Sequence, residues 1–295
     1  MILKRNIKKI VFPAAVAAAL LGSCNQSGDK QAHQEEGNID SLKIVSINGA
    51  TSEVLAQFGL LNNIIGTDVT STYPEELNKL PKVGHNKNIS AEGILALNPN
   101  IIIGTENDLK PETLQQLKQA GLRVLLLPHA HSTDGSIQLI KSLADSLKIS
   151  SKGDSLTKVL KKDLKHVAEH QKEATDKPNV LFIYARGAGT MMVGGKGTEV
   201  DEMIALAGGT NVAQDIQEYK PLTAEALVAY NPDVILLFDS GLSSLGGVDG
   251  ILNIQGVKET KAGKNKKIVE MDGALLTGFG PRVAQAIDEL HHKIH

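Results

Sequence analysis

The segment SAEGILALNPNIII, residues 90–103, returns without a gap as TAEALVAYNPDVIL, residues 223–236. Ser90 or Thr223 is a hydroxyl N-cap for the helix that follows, and Glu92 or Glu225 falls in its positively polarised first turn. Asn-Pro then stops the helix, because the residue before proline is pushed out of the helical region. The apolar run beyond it reads as a strand buried on both faces. A chain that uses one helix–strand unit in each half is constrained to two α/β lobes of similar build.

The rest of the pattern agrees. Short apolar or β-branched runs at 44–47, 64–69, 101–104 and 124–127 alternate with helix-forming segments at 52–58 and 111–120. Strand-like runs follow at 180–184, 234–238 and 268–271, with helical segments at 199–207 and 283–292. Between 134 and about 175 there is no proline, and Ile137, Ile140, Leu143, Leu147, Leu156, Leu160, Leu164 and Val167 recur mainly at spacings of three and four. This predicts a long helix, interrupted near 150–153. The expected fold is therefore α/β, with Rossmann-like lobes over 43–133 and 177–295 joined by a connecting helix over 134–176. Equivalent loops then face each other across a cleft, where ligands bind preferentially.

Residues 1–23 read as an export leader. Lys4, Arg5, Lys8 and Lys9 precede an apolar run of about a dozen residues, too short for a span that takes roughly 20. LGSC at 21–24 resembles the lipobox of bacterial lipoproteins, which implies cleavage before Cys24 and lipidation of its thiol. Cys24 is the only cysteine in the chain, so no internal disulfide can form, and lipidation accounts for the odd thiol. Residues 24–42 are polar and without apolar period, as expected of a tether, and His33 lies in it as a solvated side chain. The net charge of −2 and the mixed charges argue against a nucleic-acid partner, and the absence of tryptophan argues against a base- or sugar-stacking platform.

The loop before the first repeated helix carries His85 and Lys87; the equivalent loop before the second carries Tyr219 and Lys220. Arg186 follows the strand-like run 180–184, and ligands in open α/β sheets bind beyond the carboxyl ends of strands. The glycines of RGAGTMMVGGKG do not form a G-x-x-x-x-G-K-[ST] phosphate loop. They suit a ligand-shaped rim, with Met191 and Met192 as packing residues or thioether contacts to an apolar ligand. No G-x-S-x-G, H-E-x-x-H or cysteine nucleophile supports catalysis. His129 and His131 lie close in sequence and, with His85, would supply three nitrogen ligands for zinc or manganese; the other reading is a pair of exposed loop histidines. His166 and His170 share a helix face, and His291, His292 and His295 read as a polar terminus.

IVSINGATSEV, TDVTSTYPEELNKLPKVG, SAEGILALNP, YKPLTAEAL, GGVDGIL and MDGALLTGFGPR together resemble the haem-binding substrate-binding proteins of bacterial haem-uptake ABC transporters, relatives of the cobalamin- and siderophore-binding proteins. The resemblance runs from about residue 43 to 290 and implies the class III periplasmic binding protein fold. In that family the residue after the Val-Gly of the LPxVG segment is typically a tyrosine whose phenolate binds ferric iron. Here it is His85, so the resemblance implies an imidazole axial ligand. It also implies Lys87 and Arg186 as propionate partners, Tyr219 and Lys220 as rim contacts, and Glu92 and Glu225 as carboxylates that dock on arginines of a dimeric permease. Haem would be a transported ligand, ATP hydrolysis would belong to the partner's ATPase subunits, and Cys24 would hold the protein in the cell envelope, facing the periplasm. The alternatives are a zinc or manganese carrier using His85, His129 and His131, a cobalamin or ferric-siderophore binder of the same fold, and a haem-scavenging surface lipoprotein without a permease.

Overall fold

The computed structural model describes residues 41–85, 88–174 and 176–295. The leader, Cys24, nearly all of the tether and Lys87 lie outside the described residues. Among the described residues no helix is long and apolar enough to cross a membrane.

The first lobe is built from β1 (Ile44–Ser46), α1 (Gly49–Gln57), β2 (Ile64–Thr67), the short pair β3 (Gly84–His85) and β4 (Asn88–Ile89), α2 (Ala91–Ala96), β5 (Ile101–Thr105), α3 (Pro111–Gln119) and β6 (Arg123–Leu127). Its sheet runs β2-β1-β5-β6 and is parallel throughout. All five residues of β5 are buried, as a strand covered on both faces requires.

Two helices follow, α4 (Thr133–Ser146) and α5 (Ser150–His170). The interruption expected at 150–153 lies instead at Leu147–Ile149, where Lys148 takes a left-handed φ of 59°. Gly153 is not the breaker. It sits inside α5 because a Cβ there would lie 2.5 Å from the Cβ of Ala144, so its bareness lets α5 pack on α4. At 21 residues, α5 is about 32 Å long.

The second lobe contains β7 (Asn179–Ala185), β8 (Met191–Gly194), α6 (Glu199–Leu206), β9 (Thr210–Asn211), β10 (Tyr219–Pro221), α7 (Ala224–Tyr230), β11 (Val234–Phe238), α8 (Asp239–Ser244), α9 (Gly247–Leu252), α10 (Lys261–Asn265), β12 (Ile268–Met271), α11 (Gly273–Thr277) and α12 (Val283–Ile294). Its sheet runs β10-β8-β7-β11-β12, with β9 beside β7. The β7-β11-β12 part is parallel, whereas β8 and β10 add an antiparallel edge that the sequence pattern did not announce.

One apolar cluster runs through both lobes. It takes in Ile44 and Val54 of the first, Leu139 and Leu143 of α4, Leu160 of α5, and Phe182 and Ile287 of the second. Lobes joined through a shared close-packed core do not swing freely, since large apolar interfaces resist relative motion. A buried ion pair adds to the joint: Glu53 of α1 accepts two hydrogen bonds from Arg282, Nε at 2.8 Å and Nη2 at 2.5 Å. The Arg282 guanidinium also lies 3.7 Å from the centre of the Tyr73 ring. Beside it, the Phe279 carbonyl accepts from Ser136 Oγ at 2.7 Å and lies 3.1 Å from His129 Nε2.

Candidate functional site

The two lobes enclose a cleft of about 990 Å³, at the upper end of the usual range for ligand sites. Both walls draw on the carboxyl ends of strands and the loops just beyond them, to which the edge strands of the second lobe add Met192 and Tyr219. Thr70 and Thr72, in the loop after β2, and His85 of β3 form the first lobe's wall. Tyr184 and Arg186 at the end of β7, Met192 of β8 and Phe238 at the end of β11 belong to the second, with Asp272 and Ala274 beyond β12.

The Thr70 loop is held from beneath. Asp68, buried, accepts from the Thr70 backbone N–H at 2.8 Å and from the hydroxyls of Thr70 and Ser71. Lys82 Nζ donates to Thr67 Oγ1 and to the Ser71 carbonyl, both at 2.9 Å. The neighbouring hairpin is set by Gly84, whose φ of 137° favours glycine. A Cβ on Gly84 would stand 2.4 Å from the Asn88 carbonyl oxygen, so the close approach of β3 and β4 that presents His85 depends on the missing side chain.

On the opposite wall, strand alternation decides what faces the ligand. Val180 and Phe182 of β7 join one apolar cluster while Leu181, Ile183 and Ala185 join another. Tyr184 and Arg186 continue the Phe182 face into the cleft, two residues apart as the pleat demands. Phe238 packs edge-on to both Phe182, with centroids 4.9 Å apart, and Tyr184, at 6.1 Å, giving the cleft an aromatic floor. The Arg186 guanidinium lies 5.6 Å from the centre of the Tyr184 ring. Among the described residues Arg186 makes no ion pair and the Tyr184 hydroxyl makes no hydrogen bond. Two of the three acids in the cleft are engaged at helix starts, Asp272 Oδ1 accepting from Leu275 N–H at 2.7 Å and Asp239 Oδ1 from Ser240 N–H at 2.6 Å, and the third is Glu199.

Tyr219 lines the same cleft, but its phenol is committed. Burial, then the charge of Glu199 and a hydrogen bond to it, push the Tyr219 hydroxyl far above the ordinary phenol value. Its ring packs edge-on to Phe182. The Tyr219 hydroxyl therefore resists ionisation.

A family model, that of the periplasmic binding proteins, matches residues 44–275. The chain belongs to this family. The periplasmic heme-binding protein RhuT from Roseiflexus sp. RS-1 superposes on this periplasmic binding protein with a TM-score of 0.83 at 40% identity, covering 86% of this chain and 98% of that one. The heme binding protein HmuT superposes with a TM-score of 0.79 at 27% identity, covering 86% and 84%. HmuT has also been solved with an arginine, a histidine and a tyrosine each replaced by alanine. Of sequence relatives, the uncharacterized ABC transporter substrate-binding lipoprotein YvrC of Bacillus subtilis is 29% identical over 256 residues, 86% of this chain and 80% of its own. A vitamin B12-binding protein of Vibrio parahaemolyticus is 25% identical over 253 residues, 84% and 87% of the two chains.

In this periplasmic binding protein the residues expected at the cleft divide. His85, Arg186 and Tyr219 line it; Lys220 does not. In β10, Tyr219 pairs with Gly194 and Lys220 with Val193, which is buried in the core on the other side of the sheet from Met192, so alternation turns Lys220 away. The three-histidine metal site fails on geometry. His129 is tied to the Phe279 carbonyl, and burial, opposed by that hydrogen bond, holds its imidazole below the ordinary histidine range. His131 stacks on Phe279, while His85 stands in the cleft. Among the described residues no three His, Cys, Asp or Glu side chains are placed to hold a metal ion. Tyr184 is a cleft residue that the sequence reasoning did not single out. The rule that singled out Arg186, a polar side chain at the carboxyl end of a strand, selects Tyr184 as well once strand alternation is applied.

Proposed function

We propose that this periplasmic binding protein captures haem between its lobes and hands it to an ABC importer. The observation that carries the reading is the pairing of His85 from one lobe with Tyr184 and Arg186 from the other across an apolar, aromatic-floored cleft. A flat macrocycle fits such a cleft, and imidazole and phenolate are both axial ligands of haem iron. The arginine, histidine and tyrosine replaced in the HmuT variants are spaced along that chain as Arg186, His85 and Tyr184 are spaced along this one. His85 and Tyr184 ligate the iron from opposite faces. Arg186 remains open to a propionate. Tyr219, whose hydroxyl burial and the Glu199 charge push far above the ordinary phenol value, borders the ligand without ligating it.

Glu92 and Glu225, exposed in the first turns of α2 and α7, dock on the basic groups of a two-subunit permease whose ATPase subunits drive uptake. Cys24 carries the lipid that keeps the protein at the periplasmic face of the cell envelope. The test is haem transfer into vesicles containing the permease and its ATPase. Reversing both charges, Glu92→Arg with Glu225→Arg, is expected to abolish ATP-dependent uptake while hemin affinity stays within about twofold, because surface charges away from a site leave its chemistry intact. Undiminished uptake by the double variant would contradict the docking role.

A further inference from the structure

The two repeated helices agree in more than sequence. Ser90 Oγ accepts from the Gly93 N–H at 3.0 Å and Thr223 Oγ1 from the Ala226 N–H at 3.2 Å. Each helix is followed by an asparagine in the left-handed region, Asn98 at φ 50° and Asn231 at φ 43°. Burial follows the same course residue by residue, with Ile94 and Leu227 turned into the core and Glu92 and Glu225 turned out. One turn beyond each glutamate stands a solvent-exposed aliphatic side chain: Leu95, 41% exposed, and Val228, 42% exposed. Large apolar side chains this exposed are few among the described residues, and two of them hold equivalent repeat positions beside equivalent carboxylates.

From this coincidence we infer that Leu95 and Val228 are the apolar halves of two matching docking patches, each an acid with an aliphatic neighbour one helical turn away. Residues three apart on a helix share a face, so Glu92 with Leu95, and Glu225 with Val228, meet a partner together. Because the two patches are copies, the surface that receives them is also presented twice. The occupant is the two-fold symmetric permease, offering on each subunit a cationic side chain bordered by apolar ones. The cation answers the exposed carboxylate, and the apolar border removes Leu95 or Val228 from water. This inference rests on the docking reading above and extends it from charge to shape.

The experiment measures binding of the haem-loaded protein to the cognate permease–ATPase complex in nanodiscs, with a hemin titration of every variant in parallel. Leu95→Gln and Val228→Gln keep good helix formers at exposed positions. Each is expected to weaken permease binding about tenfold, the order expected for losing one buried aliphatic contact, and the double variant more, with hemin affinity unchanged. If both leave permease affinity at wild-type level while the Glu92→Arg and Glu225→Arg pair abolishes it, the apolar inference falls and the charge-docking reading stands. If only one of the two matters, the matched-patch inference falls. If neither the aliphatic nor the charge variants alter permease binding, docking through these helices falls altogether, with haem capture left intact.

Discussion

Replacing Tyr184 by phenylalanine is expected to weaken hemin binding by about 100-fold and to remove the phenolate-to-iron charge-transfer absorption. The same change at Tyr219 should leave both nearly as they were. The two tyrosines line one cleft and differ by one hydroxyl environment. Burial and the neighbouring Glu199 charge push the Tyr219 phenol far above its ordinary value, so it resists becoming the phenolate that would ligate iron. Among the described residues the Tyr184 hydroxyl makes no hydrogen bond, and the Arg186 guanidinium, which makes no ion pair there, lies 5.6 Å from the centre of its ring. The magnitude is set at the upper end of what loss of a ligand's supporting partner costs, since a ligand matters at least as much. His85→Ala should cause a loss of the same order but with a different spectrum, because the phenolate remains. Titrations of the three variants followed at the Soret band separate these outcomes. Equal losses at Tyr184 and Tyr219 would contradict the assignment.

The second large effect lies at the joint between the lobes. Arg282→Met leaves Glu53, only 6% exposed, as a buried carboxylate without its partner. Breaking one side of such a pair costs about 3–5 kcal/mol, whereas replacing both sides is close to neutral. Urea unfolding at pH 7 should therefore show Arg282→Met strongly destabilised and Arg282→Met with Glu53→Gln largely recovered. The pH dependence has a definite sign. Burial already raises the Glu53 carboxyl above its ordinary value, more than Arg282 lowers it, and losing Arg282 raises it further. The folded single variant then binds a proton at a pH where the unfolded chain has released it, so its stability falls as pH rises through that window. Its deficit is greatest at neutral pH and shrinks on acidification toward the ordinary glutamate range. A single variant no worse than the double, at every pH, would show that the pair does not hold the joint.

The repeat made much of this architecture legible. Capped helix, Asn-Pro and buried strand are local rules, and residues 90–103 and 223–236 obey them in place. The edge strands β8 and β10 were not legible, because Met191–Gly194 and Tyr219–Pro221 are too short for a periodic signal and owe their pairing to β7. Gly153 misled for a related reason: its value lies in a close approach to Ala144, a contact between two helices that local pattern does not contain. Arg186 and His85, expected from strand ends and loop equivalence, both line the cleft. Tyr184 was hidden within an apolar run whose last residues emerge from the core, and Lys220, next to Tyr219 in sequence, lies on the opposite face of the sheet and does not line the cleft.

The central claim is haem capture, set against the corrinoid that a related family member is named for. It is tested most directly by titrating the protein lacking residues 1–24 with hemin, and separately with cyanocobalamin, following absorbance. The account predicts a saturable Soret band with hemin that cyanocobalamin does not displace. A saturable response to cyanocobalamin, with hemin binding only non-saturably, would contradict it.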